Sequence, residues 1–464
     1  MAYGPHTPGE RERMLSALGI ASIDDLFADI PAAVRARGLD LPDGLTEQEL
    51  TVHLQRLAHL NQVDHVDFTG GGVYRHHIPP VVDQILLRSE FYTAYTPYQP
   101  EVSQGTLQSI YEFESLVGEL LAMDVVSASH YDGAAATAEA ALMACRATRR
   151  ERVLVSAAVH PHYRETLATY FRAGDLRLDE IPLVADGPAA GTTDLAALAR
   201  LLADGDAPVA GVVVANPSFV GLLEPMGEVG RVAHAAGALF VAVVEPVSLS
   251  VLAPPGEYGA DIAAGEGQPL GMPPQYGGPY LGLLASTEAL VRQIPGRLVG
   301  MTTDVDGRRA YVMTLRAREQ DIRREKAASN ICTNQALCAL AASVHLAAIG
   351  PHGLRDMAAM GAARAAELEA ALAAAGAPRM HPGPYLNEFV VRVLDPRSVH
   401  RALLARGVVA GIVLADAAPD RPELGDGLLV CATEVTTRAD IAAFASAMSA
   451  VLAAPAGAAA GAAR

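Results

Sequence analysis

Short apolar runs alternate with amphipathic stretches through the middle of the chain, from about residue 120 to about residue 290. Helical patterns at 134–147 and 227–236 lie between several of these runs. Such alternation predicts a mostly parallel sheet with helices on both faces. Binding sites in these sheets lie beyond the carboxyl ends of the strands. The predicted strands are residues 125–129, 152–156, 211–215, 239–244, 261–264 and 280–285.

The beginning of the chain carries helix-start signals without a core pattern of its own. Thr-x-x-Glu capping boxes at Thr7 and Thr46 predict two helices, and a further helix is expected to start near Ser22. The helix after Thr46 has a single stripe of leucines. We therefore expect helical arms, and no separate core, up to about residue 68.

The last third of the chain predicts a second, smaller α/β unit. An arginine-rich segment at 310–326 is followed by an alanine-rich helical pattern at 331–348 and another helix at 353–375. Alternating apolar positions then predict short strands. These strands are residues 388–393, 409–413 and 428–432.

These patterns define the fold class as α/β, with a large domain built on a mostly parallel sheet. The tail is rich in alanine and glycine, and we expect it to be disordered. The predicted parts are a helical N-terminal arm (1–68), a large α/β domain (69–325), a connecting helix with a small C-terminal α/β domain (326–452) and the tail (453–464).

Composition and charge exclude several classes of function. The 464 residues are enough to bury a large core, and the net charge of −17 argues against nucleic acid or an anionic membrane as the main partner. The most apolar stretch, residues 238–252, is interrupted by Glu245 and Pro246, so it is too short and too polar to span a bilayer. No secretory signal is visible at the N-terminus.

Cysteine and histidine usage gives no metal or disulfide pattern. The four cysteines form no C-x-x-C pair, and reduced thiols in a cytoplasmic protein are the expected state. The pairs His76-His77 and His160-x-His162 lack the further partners that a zinc site needs. The chain also has one lysine, Lys326, so any lysine-dependent chemistry has a single candidate.

The loop at 92–104 is unusually dense in phenol and amide side chains. It contains Tyr95, Tyr98 and Gln104, and a helix with apolar residues on one face follows it. Such a loop is costly to order unless it contacts something. The alternative is an ordinary surface loop with aromatic anchors.

Several long blocks of sequence together resemble one known family. They keep a fixed order along nearly the whole chain, and the most informative begins at Arg88. The resemblance is to the P-protein family of glycine decarboxylases, in the N-terminal half or in the separate alpha subunit of split forms. The blocks are YGPHTPGERERML from Tyr3, GGGVYRHHIPPVVDQIL from Gly70, RSEFYTAYTPYQPEVSQG from Arg88, PPGEYGADIAAGEGQPLG from Pro254, REKAASNICTNQAL from Arg324 and NEF from Asn387.

The resemblance implies a fold-type-I pyridoxal-phosphate (PLP) transferase fold and glycine dehydrogenase (aminomethyl-transferring, decarboxylating) activity in glycine catabolism. This chain would be the alpha subunit, acting with a P-protein beta subunit on glycine and passing the aminomethyl group to lipoyl-H-protein. Two copies of each chain would form a heterotetramer. The isolated chain would have no catalytic residue of its own.

PLP in this fold needs a phosphate turn, a stacking ring, an acid for the ring nitrogen and a Schiff-base lysine. The resemblance places the turn at Asp132-Gly133, although Ala135 replaces a hydroxyl residue that similar subunits carry. The ring would be His160, which could equally be a loop hydrogen-bonding residue. The acid would be Glu245, where related chains usually carry aspartate and where a purely structural carboxylate is the alternative.

The lysine position decides how this pocket is interpreted. Matching the glycine-proline segments puts Gln268 where the lysine would stand, and a carboxamide cannot form an imine. Asp132, Gly133, His160, Glu245 and Gln268 are therefore expected to form a vestigial cofactor pocket. The beta subunit would hold PLP covalently.

We therefore expect the loop with Tyr95, Tyr98 and Gln104 to complete the beta subunit's site. Three alternatives stay open. The chain could be a non-catalytic structural partner, an autonomous PLP enzyme that uses Lys326, or a regulatory module with an anion or nucleotide site at Asp132-Gly133.

Overall fold

A computed structural model describes residues 6–36, 38–61, 64–205 and 207–454. Residue contacts divide the chain into two units, Met1–Asp64 and His65–Arg464. The predicted arm ended at residue 68, whereas the strand Val66–Asp67 pairs with Val408–Val409 and lies in the second unit.

The first unit consists of short, exposed helices. Helix Pro8–Leu18 begins at Thr7 and helix Glu47–Ala58 begins at Thr46, each with the predicted capping box. The start near Ser22 gives a 3-10 helix, Ile23–Phe27. None of these three elements buries a residue, so the described part of this unit has no core of its own.

The second unit is built on a seven-stranded sheet. Five neighbouring strands of this sheet, from Ile262–Glu266 at one end to Arg177–Ile181 at the other, pair in parallel. The two remaining pairings, at one edge, are antiparallel. In spatial order the strands are Val125–Val126, Gly282–Ser286, Ile262–Glu266, Leu239–Val244, Val209–Asn216, Arg152–Ser156 and Arg177–Ile181.

All six predicted strands of this sheet are confirmed. Arg152–Ser156 and Leu239–Val244 have the predicted ends, and the other four have shifted ends. The missed strand, Arg177–Ile181, lies at the sheet edge and is largely solvent-facing. Its charged sequence, RLDEI, therefore lacks the apolar run that marks the buried strands.

Helices cover both faces of the sheet, as predicted. Val212 and Val214 belong to one apolar cluster and Val213 to another, because successive strand residues point to opposite faces. The helices of the large domain are Gln104–Leu121, Gly133–Thr148, Pro161–Ala173, Leu195–Ala203 and Met226–Ala235.

A β-hairpin that was not predicted precedes the arginine-rich segment at 310–326 and overlaps its start. Strands Leu298–Thr303 and Arg309–Thr314 pair antiparallel. Val299 and Tyr311 pack with Leu107 of the helix Gln104–Leu121. The hairpin therefore forms a platform beside the loop at 92–104.

The two helices predicted at 331–348 and 353–375 are both present, within the element Ala336–Ala374. It is interrupted at Gly350, where φ is 63°, and Pro351 follows. By length and composition alone this element could cross a membrane. In the fold, its residues Leu340, Ala341 and Leu354 are buried.

The small domain has a three-stranded antiparallel sheet, Glu388–Arg392, Gly427–Cys431 and Ile412–Val413. The single strand predicted at 409–413 is wrong. Gly411 has φ of +87° and lies against Leu429, where a Cβ would collide with the carbonyl, so Val408–Val409 and Ile412–Val413 are separate.

Shorter helices complete the structure. The predicted disordered tail falls almost wholly at residues 455–464, which lie outside the described residues. The remaining helices are Val81–Leu86, Ser89–Tyr92, Gln320–Arg323, Pro396–Leu404, Leu414–Ala417 and Arg438–Ala453, with 3-10 turns at Pro100–Val102, Ser248–Ser250, Glu288–Leu290, Arg316–Arg318, Arg324–Lys326 and Pro422–Leu424.

Candidate functional site

Two adjoining cavities lie where the sheet prediction placed a site, beyond the carboxyl ends of the strands. The outer cavity has a volume of about 900 Å³ and the inner cavity about 60 Å³. Five residues line both cavities. The shared residues are Gly72, His160, Tyr163, Phe219 and Glu266.

The turn predicted to bind phosphate is already occupied by a carboxylate of the protein. Glu266, at the end of its strand, accepts hydrogen bonds from the amides of Gly133 (2.9 Å), Gln268 (2.9 Å) and Leu281 (3.0 Å). Asp132 accepts a further bond from the amide of Ala135 at 2.7 Å. The amides of Gly133 and Ala135, at the start of the helix Gly133–Thr148, are therefore already bonded to carboxylates of the protein.

Gln268 is a structural residue and is fully enclosed. Its Oε1 accepts from the amide of Tyr74 at 3.0 Å, and its Nε2 donates to the carbonyls of Tyr74 (3.0 Å) and Met272 (2.6 Å). Its exposed fraction is 0%. The residue in the expected lysine position thus fastens a distant segment to the large domain.

That segment is a glycine-rich strap, residues 70–77, which crosses the inner cavity. The Gly71 amide donates to Glu388 Oε1 at 2.5 Å, and the Tyr74 hydroxyl donates to Glu388 Oε2 at 3.0 Å. At the other end, the His77 amide donates to Glu434 at 2.6 Å. A Cβ at Gly70 would collide with Glu388, which explains the need for glycine there.

His160 is held by the same strap. Its Nε2 donates to the Gly71 carbonyl at 2.8 Å, and its Nδ1 accepts from the His162 amide at 3.1 Å. Phe219 packs edge-on against the imidazole at 4.7 Å between ring centroids. Burial lowers the pKa of His160 to about 4, so the ring is neutral near pH 7.

Glu245 also has local partners. Its carboxylate accepts from the amides of Val247 (2.9 Å) and Ser248 (2.7 Å) and so caps a 3-10 turn. Burial raises its pKa. These contacts support the structural alternative for this residue, although it lines the inner cavity.

PLP does not fit the residues present. The phosphate turn is filled by Glu266, and Gln268 offers no amine. Lys326, the single lysine, lies in the turn Arg324–Lys326 and lines neither cavity.

The structure places the predicted residues in two separate places. Asp132, His160 and Glu245 line the cavities, and Gly133 and Gln268 bond to groups at their edge. The residues predicted for a shared site, Tyr95, Tyr98 and Gln104, line neither cavity.

In the loop at 92–104, Tyr98 lies in an arginine cage. The guanidinium groups of Arg297 and Arg316 are 5.6 and 5.2 Å from its ring centroid, within the range of cation–π contacts. Arg297 also donates to the Tyr98 hydroxyl at 3.2 Å. Tyr95, in contrast, is 77% exposed.

Gln104 anchors this loop to the hairpin. Its Nε2 donates to the carbonyl of Tyr311 at 2.9 Å, and its Oε1 accepts from the amide of Tyr311 at 2.8 Å. Since both ends of the carboxamide are bonded, Gln104 positions the loop and does not point its amide at a ligand.

Sequence reasoning missed Glu266, Glu388, Tyr74 and Tyr163 as members of this site. The sequence could have indicated two of them, because Glu266 and Glu388 are acidic residues at the ends of mainly apolar strands. Tyr74 and Tyr163 carried no such signal. Among the described residues, no group of three His, Cys, Asp or Glu could hold a metal ion.

The burial of Glu388 leads to a prediction about how the free energy of unfolding depends on pH. Burial raises its pKa from 4.5 to about 7, so the folded chain binds more protons than the unfolded chain between these values. The contribution of Glu388 to stability therefore falls as pH rises through this window. Glu388→Gln can keep both bonds, because the amide nitrogen can donate to the Tyr74 hydroxyl. Relative to the parent protein, we expect this variant to gain about 1–3 kcal/mol of unfolding free energy from about pH 5 to about pH 8.

Urea unfolding across this pH range measures the effect. Glu367→Gln is the control, because Arg438 and Arg364 lower the pKa of this exposed carboxyl, so it is ionised in the folded and the unfolded chain throughout this range and its substitution should give no pH-dependent difference. A flat difference between the Glu388→Gln variant and the parent protein would show that Glu388 stays ionised throughout.

Comparison with known proteins gives a consistent result. Residues 1–448 match the glycine cleavage system P-protein family. A relative from Moorella thermoacetica, named probable glycine dehydrogenase (decarboxylating) subunit 1, is 52% identical, covering 98% of this chain and 100% of the relative. A relative of the same name from Geobacillus kaustophilus is 50% identical, covering 95% and 97%.

Solved structures resemble the whole chain. A crystal structure of glycine decarboxylase (P-protein) in inhibitor-bound form has a TM-score of 0.88 and 45% identity, covering 97% of this chain and 100% of that one. A sphingosine-1-phosphate lyase from Burkholderia pseudomallei has a TM-score of 0.61 at 17% identity, covering 91% and 94%. The second likeness shows the fold alone, which is that of fold-type-I PLP enzymes.

Proposed function

Because the chain belongs to the glycine cleavage system P-protein family, we propose that it acts as subunit 1 of a glycine dehydrogenase (decarboxylating) and completes a partner subunit's active site. Its substrate is glycine, and a lipoyl-H-protein accepts the aminomethyl group. The relatives' designation as subunit 1 implies a second subunit.

One observation supports the proposal that the partner subunit, and not this chain, holds the cofactor. Gln268 uses its carboxamide to hold the glycine strap and has no amine for an imine. With Glu266 in the phosphate turn, this chain offers PLP neither a covalent nor an anionic attachment. We propose that a lysine of the partner subunit holds the cofactor, which supplies the electron sink for decarboxylation.

This chain's contribution is the loop at 92–104. Gln104 fixes the end of the loop on the hairpin, and the arginine cage fixes Tyr98. The exposed Tyr95 is then available to the partner. Phenol hydroxyl groups can orient glycine by hydrogen bonding.

Two of the three alternatives, the autonomous enzyme and the regulatory module, receive no support from the geometry. An autonomous enzyme would need Lys326 in the cavities, and it lines neither. An anion or nucleotide module at Asp132-Gly133 would need free amides, and the Gly133 amide is bonded to Glu266.

Reconstitution tests the proposal directly. The purified chain is mixed with excess PLP, dialysed and treated with borohydride, alone and with its partner subunit. We expect no retained cofactor absorption and no reduced lysine adduct on this chain. Release of labelled carbon dioxide from carboxyl-labelled glycine is expected only with both subunits. An adduct at Lys326, or decarboxylation by this chain alone, would overturn the proposal.

We also propose a cytoplasmic location and an assembly of two copies of each subunit. The four free cysteines are consistent with a reducing compartment. Sedimentation of the mixed subunits measures the stoichiometry.

A further inference from the structure

Acidic side chains line the two cavities, and the nearby His76 partly offsets the rise that burial causes in the pKa of Glu245. Glu245, Glu266 and Glu388 all line the inner cavity, and Asp132 lines the outer one. Among the described residues, no arginine or lysine lines either cavity. A further acid at the outer cavity, Asp416, is paired with Arg397 at 2.6 Å.

Uncompensated buried carboxylates are unfavourable, even when backbone amides bond to them. Burial raises the pKa of Glu266 and of Glu388 to about 7, and it raises the pKa of Glu245 as well. Protons relieve this cost at low pH. Above pH 7 a bound cation would relieve it instead.

A second feature points to a ligand with a hydrogen-bond donor. The Tyr163 hydroxyl lies over Gly133, where an added Cβ would collide with it, and burial raises its pKa well above the ordinary value. No described residue makes a hydrogen bond with this hydroxyl. Tyr163 lines both cavities, next to Glu266.

The walls suit the body of an organic cation. Tyr131, Tyr163, Phe219 and Tyr280 line the outer cavity, and aromatic faces attract ammonium groups. The outer volume of about 900 Å³ is in the range of small-molecule sites, and the inner volume of about 60 Å³ can take an ammonium group with water. The described residues provide no cluster suited to a metal ion, which favours an organic cation.

We propose that this cavity pair binds a small primary ammonium compound with an otherwise neutral aliphatic body. The ammonium group sits in the inner part, among Glu266, Glu388 and the Tyr163 hydroxyl, and the aliphatic body follows the aromatic wall. Anions and zwitterions are disfavoured, since among the described residues no arginine or lysine lines the site. This binding function is separate from the proposed decarboxylase role and does not depend on it.

Calorimetric titration of the full chain with n-butylammonium chloride tests the proposal. The titration is run at about pH 8, above the pKa of Glu266 and Glu388, where free imidazoles are also neutral. We expect saturable binding at one site per chain, at least tenfold tighter than binding of the isosteric n-butanol. Butyrate is expected not to bind.

Matched variants locate the site. Glu388→Gln removes one inner charge and is expected to weaken n-butylammonium binding at least about tenfold, a typical consequence of losing a buried charge partner. Tyr163→Phe keeps every carboxylate and is expected to weaken binding several-fold. Glu224→Gln is the control: burial raises the pKa of Glu224 to about 7 and it bonds the Thr193 amide, yet it lines neither cavity.

The outcomes separate cleanly. Absence of saturable binding, equal binding of butyrate, or equal affinity in the parent protein and both site variants would overturn the proposal. If Glu388→Gln does not fold by circular dichroism, Tyr163→Phe alone decides. Carbon dioxide release from glycine with the partner subunit is measured without amine, so its failure would concern only the proposed decarboxylase role.

Discussion

Replacing Gln268 with leucine is expected to lower the free energy of unfolding by about 3–6 kcal/mol, because three buried backbone groups lose their only side-chain partner. These groups are the amide and carbonyl of Tyr74 and the carbonyl of Met272. Leucine has a similar volume, so the effect comes from the lost hydrogen bonds and not from a cavity. Urea unfolding of the purified chain measures the change.

Gln275→Leu is the matched control, because Gln275 makes a single carboxamide bond to Pro279 at an exposed position. Its stability should stay within about 0.5 kcal/mol of the parent protein. A loss below about 1 kcal/mol in Gln268→Leu would mean that water or a shifted strap replaces the carboxamide, and that Gln268 does not fasten the strap.

The double variant Tyr95→Phe, Tyr98→Phe is expected to decarboxylate glycine roughly 100-fold more slowly in the assembled enzyme, if the loop orients substrate in the partner's site. The substitutions keep both rings, so the arginine cage around Tyr98 can still form. Loss of the Tyr98 hydroxyl removes the bond from Arg297. The measurements are carbon dioxide release and co-sedimentation with the partner subunit.

Tyr92→Phe serves as the control, because Tyr92 is an exposed tyrosine at the start of the same loop and is not assigned to the shared site. Unchanged turnover in the double variant would contradict the orienting role of Tyr95 and Tyr98. Lost turnover together with lost co-sedimentation would instead support the alternative that the loop serves assembly alone.

Most of the fold could be predicted from local sequence. The buried strands Arg152–Ser156 and Leu239–Val244 appear where the apolar runs placed them, since runs of that length and composition have few other stable arrangements. The polar edge strand Arg177–Ile181 and the hairpin at 298–314 were missed, because exposed strands carry no comparable pattern. The break in the predicted strand 409–413 at Gly411 was missed because it depends on the contact between Gly411 and Leu429.

The site was predicted less completely than the fold. The sequence singled out Asp132, His160 and Glu245, which line the cavities, and the glutamine at position 268 already excluded an imine. It left open whether Glu245 and His160 were functional or structural. The hydrogen bonds that Glu245 accepts from the amides of its own turn, and the one that His160 donates to the strap, favour structural roles.

The sequence by itself determined what this protein lacks and to which family it belongs, because residue identity decides whether an amine is present and long blocks of sequence decide kinship. Only the tertiary structure decided what fills the pocket. Gln268 bonds Tyr74 across 194 positions and Glu388 bonds Gly71 across 317, and no local pattern encodes such pairs. Burial then sets the charge state of Glu266 and Glu388, since desolvation depends on everything packed around a carboxylate.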